Sequence, residues 1–169
     1  MMSEIVVQFH EHENIADDLM NFAVIMARHN NQWLYCRHKE RDSYEIPGGH
    51  KETGESIDHA ADRELFEETG AVNFAITPVC IYSVTNGGAI SYGKLYYAEI
   101  SLLGELSPES EIAEVFQFEG LPDELTYPMI QPKLYEKTQM WLNLQSAKDE
   151  IWDVYDAEQD LLIRTDIWH

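Results

Sequence analysis

The sequence predicts a mixed α/β domain, and three local patterns in the chain support that fold class. Two pairs of apolar runs are separated by turn-forming residues at 29–31 and 86–88, which is typical of β-hairpins. About thirteen residues without proline or glycine lie between Ser56 and Gly70, which are favourable helix-capping residues. The length of 169 residues suits one main domain, and an apolar content of 44% is enough for a substantial hydrophobic core.

The remaining elements are predicted from apolar periodicity. Apolar runs bounded by turn or polar residues are predicted strands, at 5–9, 22–27, 33–37, 44–46, 72–84, 91–100 and 115–118. A polar, acidic loop is expected at 11–18. Ile130, Leu134, Trp141 and Leu144 recur at helical spacing, so a second helix is predicted over 130–147.

The last residues are interpreted as an extra C-terminal β-hairpin at 149–169, appended to a domain of residues 1–148. Two apolar runs at 150–156 and 161–165 flank a polar turn, the order of strand, turn and strand. Such a hairpin would add to an exposed sheet edge or to a partner subunit, so a homodimer is one expectation. The alternative is that the chain is an excerpt of a longer protein.

The composition excludes several classes of partner. Eleven basic and 31 acidic residues give a net charge of −20, which opposes binding to nucleic-acid polymers and anionic membranes. A site for anionic nucleotides would therefore need a metal ion that inverts the local field. Cys36 and Cys80 lie in apolar runs and are expected as buried thiols, with a disulfide as the alternative. The absence of a signal peptide or long apolar span predicts a cytoplasmic protein.

The predicted helix after Ser56 carries a cluster of carboxylates on one face. Glu64, Glu67 and Glu68 are spaced i, i+3 and i+4, which places them within an arc of about 100°. Like charges at this spacing repel each other by a few tenths of a kcal/mol per pair, so a bound cation would stabilise the helix. Carboxylates are hard oxygen ligands that suit Mg²⁺ or Mn²⁺. On these three residues alone, a solvated acidic helix face is the favoured interpretation.

The segment before the helix changes that interpretation. Pro47-Gly48-Gly49 forms a rigid turn in which glycine lets the backbone approach a ligand closely. Residues 49–71 then read GHKETGESIDHAADRELFEETGA. This segment resembles the Nudix box: Gly, five residues, Glu, seven residues, then Arg-Glu-apolar-any-Glu-Glu-any-Gly-apolar. Every specified position matches except the last, where Ala71 replaces a larger aliphatic residue. The box is the signature of hydrolases that cut a diphosphate linked to another moiety.

The resemblance, which extends over roughly residues 3–145, implies a fold and a metal site. The expected fold is a mixed central sheet held between helices. The metal, Mg²⁺ or Mn²⁺, is expected to bind the carboxylates of Glu64, Glu67 and Glu68 and a carbonyl of Gly48. On the bare residues the alternative for this metal site remains the solvated acidic face.

The resemblance also implies catalytic roles. Arg63 is expected to pair with Glu55 and hold the loop against the helix, although an ordinary surface ion pair is the alternative. Glu64 is the first choice of general base and Glu111, in the later acidic segment, is the second. Arg63 and Glu67 complete the expected catalytic set.

Substrate contacts are expected at the end of the strand before the Pro-Gly-Gly turn. Arg37 and His38 are the candidates for binding phosphate, with a plain surface role as the alternative. The layout of Trp33–Gly49 resembles the MutT-like antimutator branch of the family, which implies Mg²⁺-dependent hydrolysis of an oxidised purine nucleoside triphosphate to monophosphate and pyrophosphate. The alternatives are a nucleotide-sugar or dinucleotide pyrophosphatase, a non-catalytic nucleotide-binding regulator, and an acidic interaction domain.

Overall fold

A mixed β-sheet is the centre of the fold, and it contains seven strands within the residues that the structure describes. The structure, a computed structural model, describes residues 4–11 and 14–167, with side chains up to residue 150. The strands are β1 (Ile5–His10), β2 (Met20–His29), β3 (Gln32–His38), β4 (Gly48–His50), β5 (Ala71–Asn86), β6 (Ala89–Leu103) and β7 (Ile112–Phe118). Their order is β1-β5-β6-β2-β3-β7, with β4 paired to β2. The central pair, β2 and β6, runs parallel, and the other pairs run antiparallel.

Both predicted hairpins are present, and their turns explain why. Asn30 and Asn31 join β2 to β3 with φ of 51° and 64°, a left-handed conformation that asparagine tolerates well. Gly87 and Gly88 join β5 to β6 with φ of 60° and 88°. Two successive residues with positive φ form the turn whose twist matches that of paired antiparallel strands.

Helix α1 (Ile57–Thr69) begins and ends where the capping residues predict. The Ser56 hydroxyl accepts a hydrogen bond from the His59 backbone N–H at 3.1 Å. At the other end, Gly70 adopts the left-handed conformation with φ of 78° and donates to the Phe66 carbonyl. Ile57 and Leu65 are buried against the sheet, each contributing about 1.5–3 kcal/mol by leaving water. The helix is therefore fixed on one face of the sheet.

The second helix, α2 (Gln131–Ile167), begins on the opposite face of the sheet. The Tyr135 ring in its first turns packs edge-on against Trp33 of β3, with centroids 6.0 Å apart. Leu34, the next residue of β3, faces the other way into the core beneath α1. The predicted arrangement of a mixed sheet between helices is thus confirmed.

The predicted C-terminal hairpin is wrong, because α2 continues through Ile167. No proline or glycine follows Pro132 up to Ile167, so nothing in the sequence ends the helix. Ile151, Val154 and Tyr155 fit helical spacing as well as the strand that the sequence analysis predicts. The homodimer expectation loses the argument that rested on this hairpin and stays a prediction.

The chain separates into two compact units, Met1–Tyr135 and Glu136–His169. The predicted boundary at residue 148 stays a prediction. Within the described part of the chain, neither helix combines the length and the apolar composition needed to cross a membrane. Cys36 and Cys80 are buried free thiols, as expected.

One local prediction also needs correction. Tyr44–Ile46 forms only isolated bridges, from Tyr44 to Leu125 and from Glu45 to Cys36, and the strand lies at Gly48–His50 instead. Pro47 lacks an N–H, but its carbonyl accepts a hydrogen bond from Ile25 at 2.8 Å. The chain therefore turns toward β2 at the proline, and this turn places the two glycines beside α1.

Candidate active site

A cleft of 760 Å³ opens where β4, the carboxyl end of β3 and helix α1 meet. Four of its lining residues are glutamates, namely Glu45, Glu64, Glu68 and Glu111. Gly48 and Gly49, which the sequence analysis predicts in a turn, are the first residues of strand β4 and line the cleft with these carboxylates. The two predicted glycines and two of the three predicted helix carboxylates therefore share one cavity.

Glu68 lies near the carboxyl end of α1, in a setting that disfavours its charge. Its Oε1 accepts a hydrogen bond from the Gly48 backbone N–H at 2.7 Å. Burial nevertheless raises the pKa of Glu68 to about 8. The Gly48 hydrogen bond opposes this shift, whereas the nearby charges of Glu64, Glu45 and Glu111 add to it. A carboxyl group in such surroundings gains strongly from a bound cation.

Glu64 lies one helical turn earlier and packs against the backbone of Gly49 in β4. A Cβ atom at Gly49 would lie 2.4 Å from Oε1 of Glu64, so a side chain at position 49 would displace this carboxylate. A Cβ atom at Gly48 would lie 2.4 Å from the Ala23 carbonyl oxygen. Burial raises the pKa of Glu64, although the hydrogen bond from Arg63 counteracts it. Gly49 therefore leaves room for the carboxylate at the main chain, and Gly48 leaves room for the close pairing of β4 with β2.

Arg63 links the loop before α1 to the carboxylate face of the helix. Its Nε and Nη2 donate to the two carboxylate oxygens of Glu55 at 2.7 and 2.9 Å. Such bidentate pairing is strong and directional, and its hydrogen bonds lower the pKa of Glu55 to about 2. Nη1 also donates to Glu64 at 2.9 Å and to Glu67 at 3.1 Å. The predicted contact between Arg63 and Glu55 is present, and Arg63 additionally orients two of the predicted metal ligands.

The donor set fits a hard divalent cation, although its side chains are not gathered around one point. Among the described residues, no group of three His, Cys, Asp or Glu residues is arranged to hold a metal ion. Glu64 and Glu67 turn toward Arg63, and Glu68 turns toward Gly48. Carboxylate oxygens are ligands that suit Mg²⁺ or Mn²⁺. Such a cation would also offset the charge of the buried Glu68 carboxylate. Glu67 has 51% of its side chain exposed and lies outside the described cleft lining.

His38 and Glu111 both line the cleft and face each other. The His38 Nε2 lies 3.6 Å from Oε2 of Glu111, whose side chain is 82% exposed. Arg37, the other predicted phosphate contact, is absent from the described lining and donates to the Arg41 carbonyl at 3.3 Å. The structure thus brings His38 and Glu111 to the site and leaves Arg37 beside it.

Arg41 is a cleft residue that the sequence interpretation missed. Its Nη1 donates to Oε2 of Glu45 at 2.7 Å and lies 3.5 Å from the Tyr127 hydroxyl. Tyr127 also lines the cleft, and its ring lies 6.0 Å from the guanidinium carbon. Only the position of Arg41 just before the Pro-Gly-Gly turn hinted at this role, because its partner Tyr127 is distant in sequence.

Comparison with known proteins identifies the family. A NUDIX domain model matches residues 19–138. A Bacillus subtilis protein named "Putative 8-oxo-dGTP diphosphatase YtkD" is 27% identical over 128 residues, which cover 76% of this chain and 80% of that protein. A Mycobacterium tuberculosis protein named "Putative mutator protein MutT4" is 37% identical over 90 residues, covering 50% of this chain and 36% of that protein.

Solved structures show the same fold. The Bacillus subtilis pyrophosphohydrolase BsRppH superposes with a TM-score of 0.68 at 23% identity, over 82% of this chain and 91% of that one. A Caenorhabditis elegans Ap4A hydrolase superposes with a TM-score of 0.59 at 18% identity, over 73% and 98% of the two chains. At these identities the likeness establishes the fold alone. The domain match over residues 19–138 goes further: the chain belongs to the Nudix family and is a pyrophosphohydrolase of nucleoside diphosphate derivatives.

Proposed function

We propose that this cleft hydrolyses a nucleoside triphosphate with an oxidised purine, such as 8-oxo-dGTP, to the monophosphate and pyrophosphate, in an Mg²⁺-dependent reaction. The observation that carries the proposal is the placement of Glu64 and Glu68 against Gly48 and Gly49 of β4 in a single cleft. The name of the Bacillus subtilis relative supports the choice of substrate.

The metal site would consist of the carboxylates of Glu64, Glu67 and Glu68 and the carbonyl of Gly48. Mg²⁺, or Mn²⁺ in its place, would neutralise phosphate oxygens and increase the electrophilicity of the phosphorus. The net charge of −20 makes this neutralisation necessary, because the protein would otherwise repel a triphosphate.

Proton transfer is assigned to Glu64. Its carboxylate is buried beside Gly49, and the same burial raises its pKa toward a value at which it can accept a proton from water. The attacking water gives that proton to Glu64 as its oxygen bonds to phosphorus, opposite the departing phosphate oxygen. Arg63 positions this base through the hydrogen bond to Oε1 at 2.9 Å. Glu111, which is mostly exposed and paired with His38, is the second candidate.

The polyphosphate is assigned to the side of the cleft that carries Arg41 and His38. Among the described lining residues, Arg41 is the only arginine or lysine. Glu45 holds its guanidinium in place at 2.7 Å, and such preorganisation lowers the entropic cost of binding a phosphate. Arg41 replaces Arg37 as the arginine proposed to contact substrate.

The test is a panel of canonical and oxidised nucleoside triphosphates, nucleotide sugars and dinucleotides, assayed with Mg²⁺ and with the products identified. We expect 8-oxo-dGTP to give monophosphate and pyrophosphate, and EDTA to abolish both turnover and tight binding. A preference for ADP-ribose or another nucleotide sugar, with no hydrolysis of oxidised nucleotides, would overturn the proposed substrate assignment. Nucleotide binding without any product would indicate a regulator, and neither binding nor turnover would indicate an interaction domain.

A further inference from the structure

We propose that Phe22 forms the surface on which the purine base of the substrate stacks, and that Tyr82 and Gly93 fix the position of its ring. The inference rests on the proposed function only in taking the ligand to be a nucleotide. It assigns the specificity-determining part of the cleft, which the metal-site residues leave undefined.

The aromatic pair is built over a glycine of the central strand β6. Gly93 is paired with Phe22 of β2 on one side and with Tyr82 of β5 on the other. A Cβ atom at Gly93 would lie 2.2 Å from Cε2 of Phe22 and 2.8 Å from Cζ of Tyr82. Both rings therefore lie directly on the β6 backbone. Any larger residue at position 93 would clash with them in this position.

Phe22 is held from two sides while part of its surface stays open. Its ring centroid lies 5.7 Å from that of Tyr82 and 6.1 Å from that of His50. Tyr82 is only 1% exposed, whereas Phe22 is half-buried, and both line the cleft. Phe22 therefore presents the accessible aromatic surface, and Tyr82 supports it. An aromatic ring that is already fixed binds a planar ligand at a low entropic cost.

The pair is not part of the core that anchors α1. Ala23 and Ile25 of β2 point into that core, so Phe22, on the alternate face of the strand, points away from it. Phe22 and Tyr82 are both outside the cluster of buried residues beneath α1. A packing role in that cluster therefore does not account for the two rings.

The position of the pair in the sheet suits one end of a nucleotide. Phe22 is on β2 and Tyr82 is on β5, whereas His38 ends β3 and Arg41 follows it, so the aromatic pair and the two basic side chains come from different segments that line the cleft. The base and the phosphates can then occupy different parts of the cleft.

Polar groups beside the aromatic pair can contact the edge of the base. Asn86 and Ser91, at the β5–β6 hairpin, line the same part of the cleft. The Asn86 amide can donate and accept hydrogen bonds, and so can the Ser91 hydroxyl. Both side chains can therefore form hydrogen bonds with the edge of a purine. Stacking on Phe22 would supply affinity, and these two side chains would supply selectivity between bases.

The experiment compares two ligands that differ by the base. Binding of dGMP and of 2-deoxyribose 5-phosphate is measured by calorimetry, with Mg²⁺ present, for the unmodified protein and for Phe22→Leu. We expect the unmodified protein to prefer dGMP and Phe22→Leu to lose about tenfold in dGMP affinity, with the affinity for 2-deoxyribose 5-phosphate unchanged. Phe66→Leu is the matched control, because Phe66 is 55% exposed on α1 and outside the described cleft lining, and it should change neither affinity.

Gly93→Ala provides a second route to the same loss, because its methyl group displaces both rings without altering either. Equal affinity of the unmodified protein for the two ligands, or an unchanged dGMP affinity in Phe22→Leu, would overturn the inference. An equal loss for both ligands would do so as well, since it would indicate general damage to the site. Hydrolysis of a nucleotide sugar in place of a triphosphate, with the selective loss intact, would refute the proposed function and leave the Phe22 assignment standing.

Discussion

Glu55 and Glu68 belong to the same motif, yet their surroundings have opposite effects on the two carboxylates. Glu55 is clamped by two hydrogen bonds from Arg63, which lower its pKa to about 2. Glu68 is buried among other carboxylates with one backbone N–H as donor, and its pKa rises to about 8. The first carboxylate holds the loop to the helix. The negative charge of the second is unfavourable unless a cation or a proton neutralises it, which is the property expected of a metal ligand.

The largest expected effect comes from removing the charge of Glu68. Glu68→Gln should lower kcat by about 10²–10³-fold and weaken Mg²⁺ binding, because a neutral amide is a poor ligand for a hard cation. The amide oxygen can still accept the Gly48 hydrogen bond, so the fold should survive. Kinetics and calorimetric Mg²⁺ titration measure both effects. Glu119→Gln, at an exposed position outside the described cleft lining, is the control. Full activity in Glu68→Gln would remove the basis of the metal site.

Glu67→Gln should reduce activity as well. This variant shows whether Glu67 is a metal ligand or only an ion-pair partner of Arg63. Glu67 is half-exposed and contacts Arg63 at 3.1 Å. We expect weaker Mg²⁺ binding and a loss of most activity, because this variant also removes a negative ligand. An unchanged Mg²⁺ affinity in this variant would restrict Glu67 to its contact with Arg63.

Arg63→Lys tests the structural side of the comparison. A lysine cannot reproduce the fork that grips both oxygens of Glu55 and also reaches Glu64. We expect a loss of about 10–100-fold in metal affinity or activity, the usual cost of removing a group that orients metal ligands. Arg28→Lys is the matched control, since Arg28 is outside the described cleft lining, where it makes a 3.3 Å ion pair with Glu99 and lies over the Trp33 and Tyr97 rings. Equal metal affinity and activity in the two variants would indicate that Arg63 forms only an ordinary surface ion pair.

A smaller effect is expected at the second candidate base. Glu111 is 82% exposed, so Glu111→Gln should lower kcat less than tenfold, whereas Glu64→Gln should lower it by about 10²-fold. The measurement is kcat of the two variants and of the unmodified protein as a function of pH. The reverse order of losses would transfer the role of base from Glu64 to Glu111.

The smallest effects concern the stability of the metal-free protein and differ in sign. The folded state retains a proton on Glu68 between pH 4.5 and about 8, so its contribution to the free energy of unfolding falls as pH rises through that window. Glu55 contributes stability that is present above pH 4.5 and is lost as pH falls toward about 2. Denaturant unfolding in EDTA should show each slope removed in Glu68→Gln and Glu55→Gln respectively. Parallel pH profiles for the two variants would contradict the assigned environments.

The helix and the hairpins could be predicted because their signals are local. Ser56 and Gly70 cap α1, and Gly87 with Gly88 closes the β5–β6 turn, all through the conformational preferences of single residues. The C-terminal hairpin was wrong for the converse reason: apolar residues at short spacing fit a strand or a helix, and only the absence of a helix breaker distinguishes them.

Contacts across the sheet could not be predicted. The parallel pairing of β2 with β6 brings Phe22 beside Gly93, and no local pattern encodes that register. Arg41 reaches Tyr127 and Glu45 only because the loop after β3 folds back on the cleft. The carboxylate cluster was predictable because one helix carries it, whereas the substrate-facing side is assembled from distant segments.

Hydrolysis of 8-oxo-dGTP in ¹⁸O-labelled water with Mg²⁺, with mass spectrometry of the products, is the decisive measurement for the proposed reaction. We expect monophosphate and pyrophosphate, with the label on one of these two phosphate products, because water attacks phosphorus within the cleft. Formation of nucleoside diphosphate and orthophosphate, or label on a sugar carbon, would contradict it.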